Sequence, residues 1–162
     1  MAKKKKAAKA KMGGPFLAAA IYCHNILEDL RGMLTIQGIT DTLHIKLGPL
    51  APESMPSKEH PVVINHQLLL IFRSGDAPGK YRLRLVIEGP SGKRMNAINE
   101  PITLSDPPHG GATVKTAATL SVGGGGLYLI DVFLNSKLMT RMPINIAIER
   151  DQVNPGMVPK KA

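Results

Sequence analysis

The fold is indicated most clearly by residues 80–88, which read KYRLRLVIE. Four apolar side chains alternate with charged ones in this stretch: Tyr81, Leu83, Leu85 and Ile87. Because successive side chains of a β-strand point to opposite faces, this spacing predicts a strand with one face in a core and the other in water. Val86 is the one apolar residue on the face that is otherwise charged.

The same period of two recurs along the chain, and turn residues separate the repeats. The segments that we expect to form strands are 16–23, 33–40, 62–72, 80–88, 94–104, 112–122, 127–134 and 142–150. Residues 62–72 are nearly all apolar, as in a strand covered on both faces. No amphipathic helical pattern competes with these strands. The sequence therefore predicts an all-β fold, a two-layer antiparallel β-sandwich of about eight strands.

The positive charge is concentrated at the N-terminus. The chain of 162 residues has a formal net charge of +9, whereas residues 15–150 contain 13 bases and 11 acids. Residues 1–14 contain no acid and six lysines: Lys3, Lys4, Lys5, Lys6, Lys9 and Lys11. We therefore expect a disordered Lys-rich tail (1–14), one β-sandwich domain (15–150) and a flexible C-terminal tail (151–162).

The single cysteine and the residues around it indicate a cytoplasmic protein. Cys23 has no partner for an internal disulfide, which fits a reducing compartment. The apolar run 16–23 is separated from the lysines by Gly13-Gly14-Pro15, and no small-residue cleavage site follows it, so we do not expect a secretory signal. No apolar run approaches the length of about 18 residues that a membrane-spanning helix needs, so we expect no contact with a membrane.

Several segments resemble a known family. They are the strand starts at residues 16–23 and 32–36, the Gly-aromatic segment GLYLIDV at 126–132, and TRMPI at 140–144. Together they resemble an uncharacterised bacterial family of small β-sandwich proteins, a domain of unknown function, over about residues 16–149. The resemblance implies the sandwich fold and a cytoplasmic location, and it implies no activity.

The residue patterns of catalytic, metal and nucleotide sites are not present. Cys23 and His24 are adjacent, so on a strand they point to opposite faces and cannot chelate one metal together. The turn at 89–94 lacks the first glycine of a P-loop, and the four glycines 123–126 join two strands instead of opening a helix. We therefore expect no catalytic residue, no metal site, no cofactor and no enzymatic activity.

Two surface features remain as candidate sites. Leu127, Leu129 and Phe133 lie on the face of their strand opposite its core set, and such an apolar stripe is a candidate protein contact. A second set comprises Lys80, Arg82 and Arg84 on the polar face of their strand. Together with the six lysines of the tail, it is a candidate for polyanion contact.

Three hypotheses about function follow. The first is a non-enzymatic protein-interaction or scaffold module, which contacts a protein partner or a second copy of itself. An alternative is weak nucleic-acid or other polyanion binding through the N-terminal lysine arm. A further alternative is a sandwich that binds a small ligand or carbohydrate through the loops 48–61 and 106–111.

Overall fold

The computed structural model describes residues 12–106 and 110–151, and this part of the chain forms a two-layer β-sandwich. Its strands are β1 (Phe16–Glu28), β2 (Leu34–Ile39), β3 (Thr42–Leu47), β4 (Val62–Arg73), β5 (Gly79–Glu88), β6 (Arg94–Leu104), β7 (Gly111–Val122), β8 (Gly126–Leu134) and β9 (Lys137–Arg150). One sheet has the order β2-β1-β4-β7, and the other has the order β3-β9-β8-β5-β6. No helix long and apolar enough to cross a membrane occurs among the described residues.

The core lies between the two sheets and is built from the alternating apolar residues. The predicted inward set of β5 faces it: Leu83, Leu85 and Ile87 are at most 6% exposed. Strand β4 supplies Leu68, Leu70 and Phe72 from the opposite sheet, all fully buried. The alternation in β5 thus places its core face where the sequence predicted it.

The structure has nine strands in its described part, one more than expected. The additional strand is β3, in which Leu43, Ile45 and Leu47 alternate with polar residues. Its pairing with β9 is parallel, so the sandwich is not antiparallel throughout. Because β3 joins β9 only from Asn145 onward, Pro143 lies where β9 has β8 as its single neighbour. This explains how a proline is accommodated within a strand.

Strand β1 extends five residues beyond its predicted end and bends away from β4. Its last pair with β4 is Cys23 with Gln67, after which it continues with β2 alone. The Gln67 side chain accepts a hydrogen bond from the Ile26 N–H at 2.7 Å. At the end of the strand, Glu28 forms an ion pair with Lys115 of β7. The β1–β2 hairpin therefore covers part of the outer face of the four-stranded sheet, where Cys23 is fully buried.

The segment before β1 is attached to the sandwich. The Gly13 N–H donates to the Asp76 carboxylate at 2.8 Å, and the Gly13 carbonyl accepts from the Asp76 N–H at 2.7 Å. The lysines Lys3 to Lys11 and most of the C-terminal tail lie outside the described residues.

Candidate functional site

The outer face of the five-stranded sheet brings the two predicted surface sets together. Strands β5 and β8 are neighbours in this sheet, so Arg84 lies directly opposite Phe133. We call the central part of this face the outer patch, and it comprises Arg84, Glu88, Arg94, Leu127, Leu129, Asp131, Phe133 and Arg141. Sequence reasoning treated the apolar set and the basic set separately, whereas the pairing of β5 with β8 makes them one surface.

Asp131 is the centre of the outer patch, whose other carboxylate is Glu88 of β5. The residue is 1% exposed although it points away from the core between the sheets. Arg141 donates to it from Nε at 2.7 Å and from Nη2 at 2.9 Å, and Arg94 donates from Nη2 at 2.8 Å. Arg94 also forms an ion pair with Glu88 at 3.0 Å. The buried carboxylate thus holds two guanidinium groups in fixed positions on the sheet surface.

The hydrogen bonds from Arg141 hold the pKa of the Asp131 carboxyl below its usual value. Burial acts in the opposite direction, and the charge and hydrogen bond of Arg94 add to the lowering. Asp131 is therefore ionised at neutral pH. A buried carboxylate is expensive unless it is paired, and here two arginines provide the pairing.

A bulge in the β8–β9 ladder determines which residue faces Asp131. Leu134 pairs with Lys137 across the turn, and a regular ladder counted from this pair would place Thr140 opposite Asp131. The register shifts between Val132 and Phe133, and Arg141 becomes the partner instead. Because a shift of one residue exchanges the two faces of a strand, Arg141 would otherwise point into the core.

The apolar part of the outer patch is only partly open to solvent. Leu127 is 51% exposed, whereas Leu129 and Phe133 are half-buried. The Arg84 guanidinium lies 4.5 Å from the centre of the Phe133 ring, which is within the range of a cation–π contact. Leu138 of β9, paired with Phe133, adds a side chain that is 45% exposed. The predicted apolar stripe is therefore a mixed surface of leucines, a phenylalanine and arginines.

The remaining predicted residues lie at the edge of this face or outside the described part. Arg82 donates to the Asn99 side chain at 3.1 Å on the neighbouring strand β6, and Lys80 is exposed further along β5. The loop 48–61 connects β3 to β4 as expected. Residues 107–109 of the predicted loop 106–111 lie outside the described residues.

Sequence reasoning missed Arg94 and Arg141 as candidate site residues. The sequence around Asp131 did indicate a cationic partner. A single acid between Leu129 and Phe133 on an otherwise apolar strand face needs such a partner if it is buried. Its partners could not be identified, since that requires the register of three strands.

In the part of the chain that the structure describes, the titratable groups form no cluster with metal-binding geometry. Among residues 12–106 and 110–151, no three His, Cys, Asp or Glu side chains lie close enough to hold a metal ion. Burial raises the pKa of the Cys23 thiol, and burial beside His24 lowers the pKa of His66. The His24 and His66 rings are nearly perpendicular to each other, with ring centres 5.3 Å apart.

Comparison with known proteins finds no matching family and solved structures of low similarity. No family model matches the chain, and no curated protein matches it. A solved β-glucosidase from Listeria innocua, in complex with isofagomine, aligns over 68% of this chain with a TM-score of 0.41 and 11% identity. This chain spans 15% of the length of that enzyme. An immunoglobulin-like protein from Pseudomonas aeruginosa aligns over 85% of this chain and 100% of its own, with a TM-score of 0.39 and 13% identity.

Proposed function

We propose that the protein is a non-enzymatic interaction module, and that its outer patch binds an acidic segment of another protein. The observation that carries this proposal is the arrangement around Asp131. A buried carboxylate fixes two arginines beside exposed leucines, and Arg and aromatic residues are enriched where interfaces gain most of their energy. Membership of the uncharacterised β-sandwich family is part of the same proposal.

The fixed arginines have donors left for a ligand. An arginine carries five N–H donors, and Arg141 uses its Nε and Nη2 atoms on Asp131. The side chains of Arg141 and Arg94 remain 47% and 51% exposed. Their free N–H groups therefore face water in a geometry that is already ordered. Preorganisation of this kind reduces the entropy lost when a carboxylate binds.

The charge of the outer patch favours an acidic partner over a second copy of this chain. The patch contains three arginines and two carboxylates, and Arg82 lies beside it, so the net charge of this surface is positive. A twofold dimer through this face would bring the arginines of one copy close to those of the other. Like charges across an interface reduce affinity, whereas acidic side chains of a partner would complement the patch.

The apolar residues favour a protein over a nucleic acid. Leu127 and Leu138 are about half exposed on this face, and a phosphate backbone would gain nothing from them. Glutamate or aspartate next to leucine, valine or phenylalanine in a peptide would contact both kinds of residue. Nucleic-acid binding through the lysines Lys3 to Lys11 stays a prediction that the deletion described below tests.

The test is selection of peptides from an unbiased random library, with the full chain as bait. We expect the selected peptides to be enriched in Asp or Glu together with apolar residues. The substitutions Arg84→Gln and Leu127→Ser should each raise the dissociation constant of a selected peptide by roughly 5-fold to 30-fold, as at other interface anchors. The matched control is Arg31→Gln, because Arg31 is exposed in the β1–β2 turn of the other sheet.

Two outcomes would refute the proposal. One is that the selected peptides bind the Arg84→Gln and Leu127→Ser variants as tightly as the wild type. The other is that selection enriches basic or uncharged peptides, which would show that the arginines are not the recognition element.

A further inference from the structure

A cavity opens at one end of the sandwich, where three connections meet. They are the β5–β6 turn, the β7–β8 turn and the end of the loop 48–61. The cavity has a volume of about 360 Å³. Ile87 and Tyr128 line it, and both belong to the core, with 6% and 5% exposure. The apolar part of a ligand would therefore rest on side chains whose positions are already fixed by packing.

Among the described residues, basic and hydroxyl groups line this end cavity, and no carboxylate does. The basic groups are Lys58 from the long loop and Lys93 from the β5–β6 turn, and Ser91 and Ser121 add hydroxyls. Within the described part of the chain, neither lysine forms an ion pair. The next residue, Arg94, is already paired with acids on the outer face. The cavity thus combines an apolar floor with two lysines that no described acid neutralises.

The β7–β8 turn lines the end cavity with glycines, and the space beside one of them, Gly124, is open. A Cβ atom added at Gly124 would meet no other atom within 4 Å. The turn is nevertheless held in place, because the Tyr128 hydroxyl donates to the Gly124 carbonyl at 3.0 Å. The cavity therefore exists before a ligand arrives, as is usual for small-molecule sites.

We propose that the end cavity binds a small organic anion, with its carboxylate or phosphate group at Lys58 and Lys93 and its apolar body against Tyr128 and Ile87. Carboxylate and phosphate groups are both anionic and both accept hydrogen bonds, and these are the properties that two lysine ammonium groups recognise. The cavity does not involve any residue of the outer patch, so this proposal stands or fails independently of the peptide-binding function.

The experiment is a titration of the ¹⁵N-labelled full chain, followed by amide chemical shifts. The probes are benzoate, phenyl phosphate and the neutral analogue benzyl alcohol. We expect at least one of the two anions to cause saturable shifts at Gly89 and Gly124, with a dissociation constant on the order of 1 mM for ligands of this size. Saturation by only one of them would identify the preferred head group.

Charge-removing variants decide whether the lysines are responsible. Lys58→Gln and Lys93→Gln should each weaken anion binding about fivefold, as expected for one exposed charge contact. Lys80→Gln is the matched control. The substitution removes the same charge, but Lys80 is exposed on the outer face of β5 and does not line the cavity. The proposal is wrong if neither anion gives saturable shifts, if benzyl alcohol binds as tightly as the anions, or if Lys80→Gln weakens binding as much as the cavity variants.

Discussion

Replacing Asp131 by asparagine should destabilise the sandwich and change its response to acid. The substitution keeps the size of the side chain but removes the charge that accepts three hydrogen bonds of 2.7 to 2.9 Å from Arg94 and Arg141. Hydrogen bonds to charged groups contribute about 1.5–3 kcal/mol each when a partner is lost. Because both arginines are about half exposed and can return to water, we expect the total loss to be about 2 kcal/mol.

The pH dependence of this loss follows from the lowered pKa of Asp131. A carboxyl whose pKa is lower in the folded state than in the unfolded state stabilises the fold above the unfolded value of about 3.9. That contribution disappears as the pH falls through the folded value. The difference in stability between wild type and Asp131→Asn should therefore be full at pH 7 and should shrink below about pH 4.

The assay is urea denaturation followed by far-ultraviolet circular dichroism at pH 7 and at pH 2.5. A loss of about 2 kcal/mol corresponds to a decrease in Tm of roughly 4–8 °C for a chain of this size. Asp151→Asn is the matched control, because Asp151 is exposed and its side chain makes no hydrogen bond to a described residue. A change below about 0.5 kcal/mol at pH 7, within the usual range of surface substitutions, would refute the reasoning. A loss that is equally large at both pH values would refute it as well.

Three further predictions concern other parts of the chain. Gly38→Ala should cost about 1–2 kcal/mol in urea denaturation, because Gly38 has a φ of +65° and an added Cβ would lie 2.9 Å from the His24 Cβ; an equal loss in Gly124→Ala, where the space is open, would contradict this. The Cys23 thiol should react slowly with a thiol reagent in the native state and rapidly in urea, since it is fully buried and its pKa is raised; rapid native labelling would show that this strand is misplaced. Deleting residues 1–11 should abolish any nucleic-acid binding that the lysine arm provides, and before deletion the log–log salt slope should be no steeper than about −5; binding that persists would assign it to the folded surface.

The deletion ends at residue 11 for a structural reason. Gly13 exchanges two hydrogen bonds with Asp76, so a deletion that extended to residue 14 would also remove contacts of the sandwich. With the shorter deletion, a change in nucleic-acid affinity can be attributed to the lysines.

Local alternation was sufficient to predict strands β5 and β8 and the faces that they turn to the core. Tyr128, Ile130 and Val132 share one face of β8 in the sequence, and all three are at most 5% exposed in the structure. The signal is reliable here because the spacing of side chains along a strand is a local property of the backbone. The same reasoning would have found β3, since Leu43, Ile45 and Leu47 alternate, but its six residues lie next to a loop rich in proline.

The pairing of strands could not be predicted, and the outer patch depends on it. Arg94 is separated from Asp131 by 37 residues along the chain, and only the order β8-β5-β6 brings them close. Arg141 faces Asp131 because of one register shift in the β8–β9 ladder. A bulge of this kind arises from the packing of the whole sheet, and the sequence of the hairpin alone does not indicate it.

The central claim is that the outer patch is the binding surface, and mapping one bound peptide tests it most directly. The measurement is the change in amide chemical shifts when the tightest selected peptide is added to the ¹⁵N-labelled full chain. We predict that the largest changes occur at Arg84 in β5, at Leu127 to Phe133 in β8 and at Arg141 in β9. Changes confined to the four-stranded sheet, for example to the exposed edge strand β7, would contradict the account.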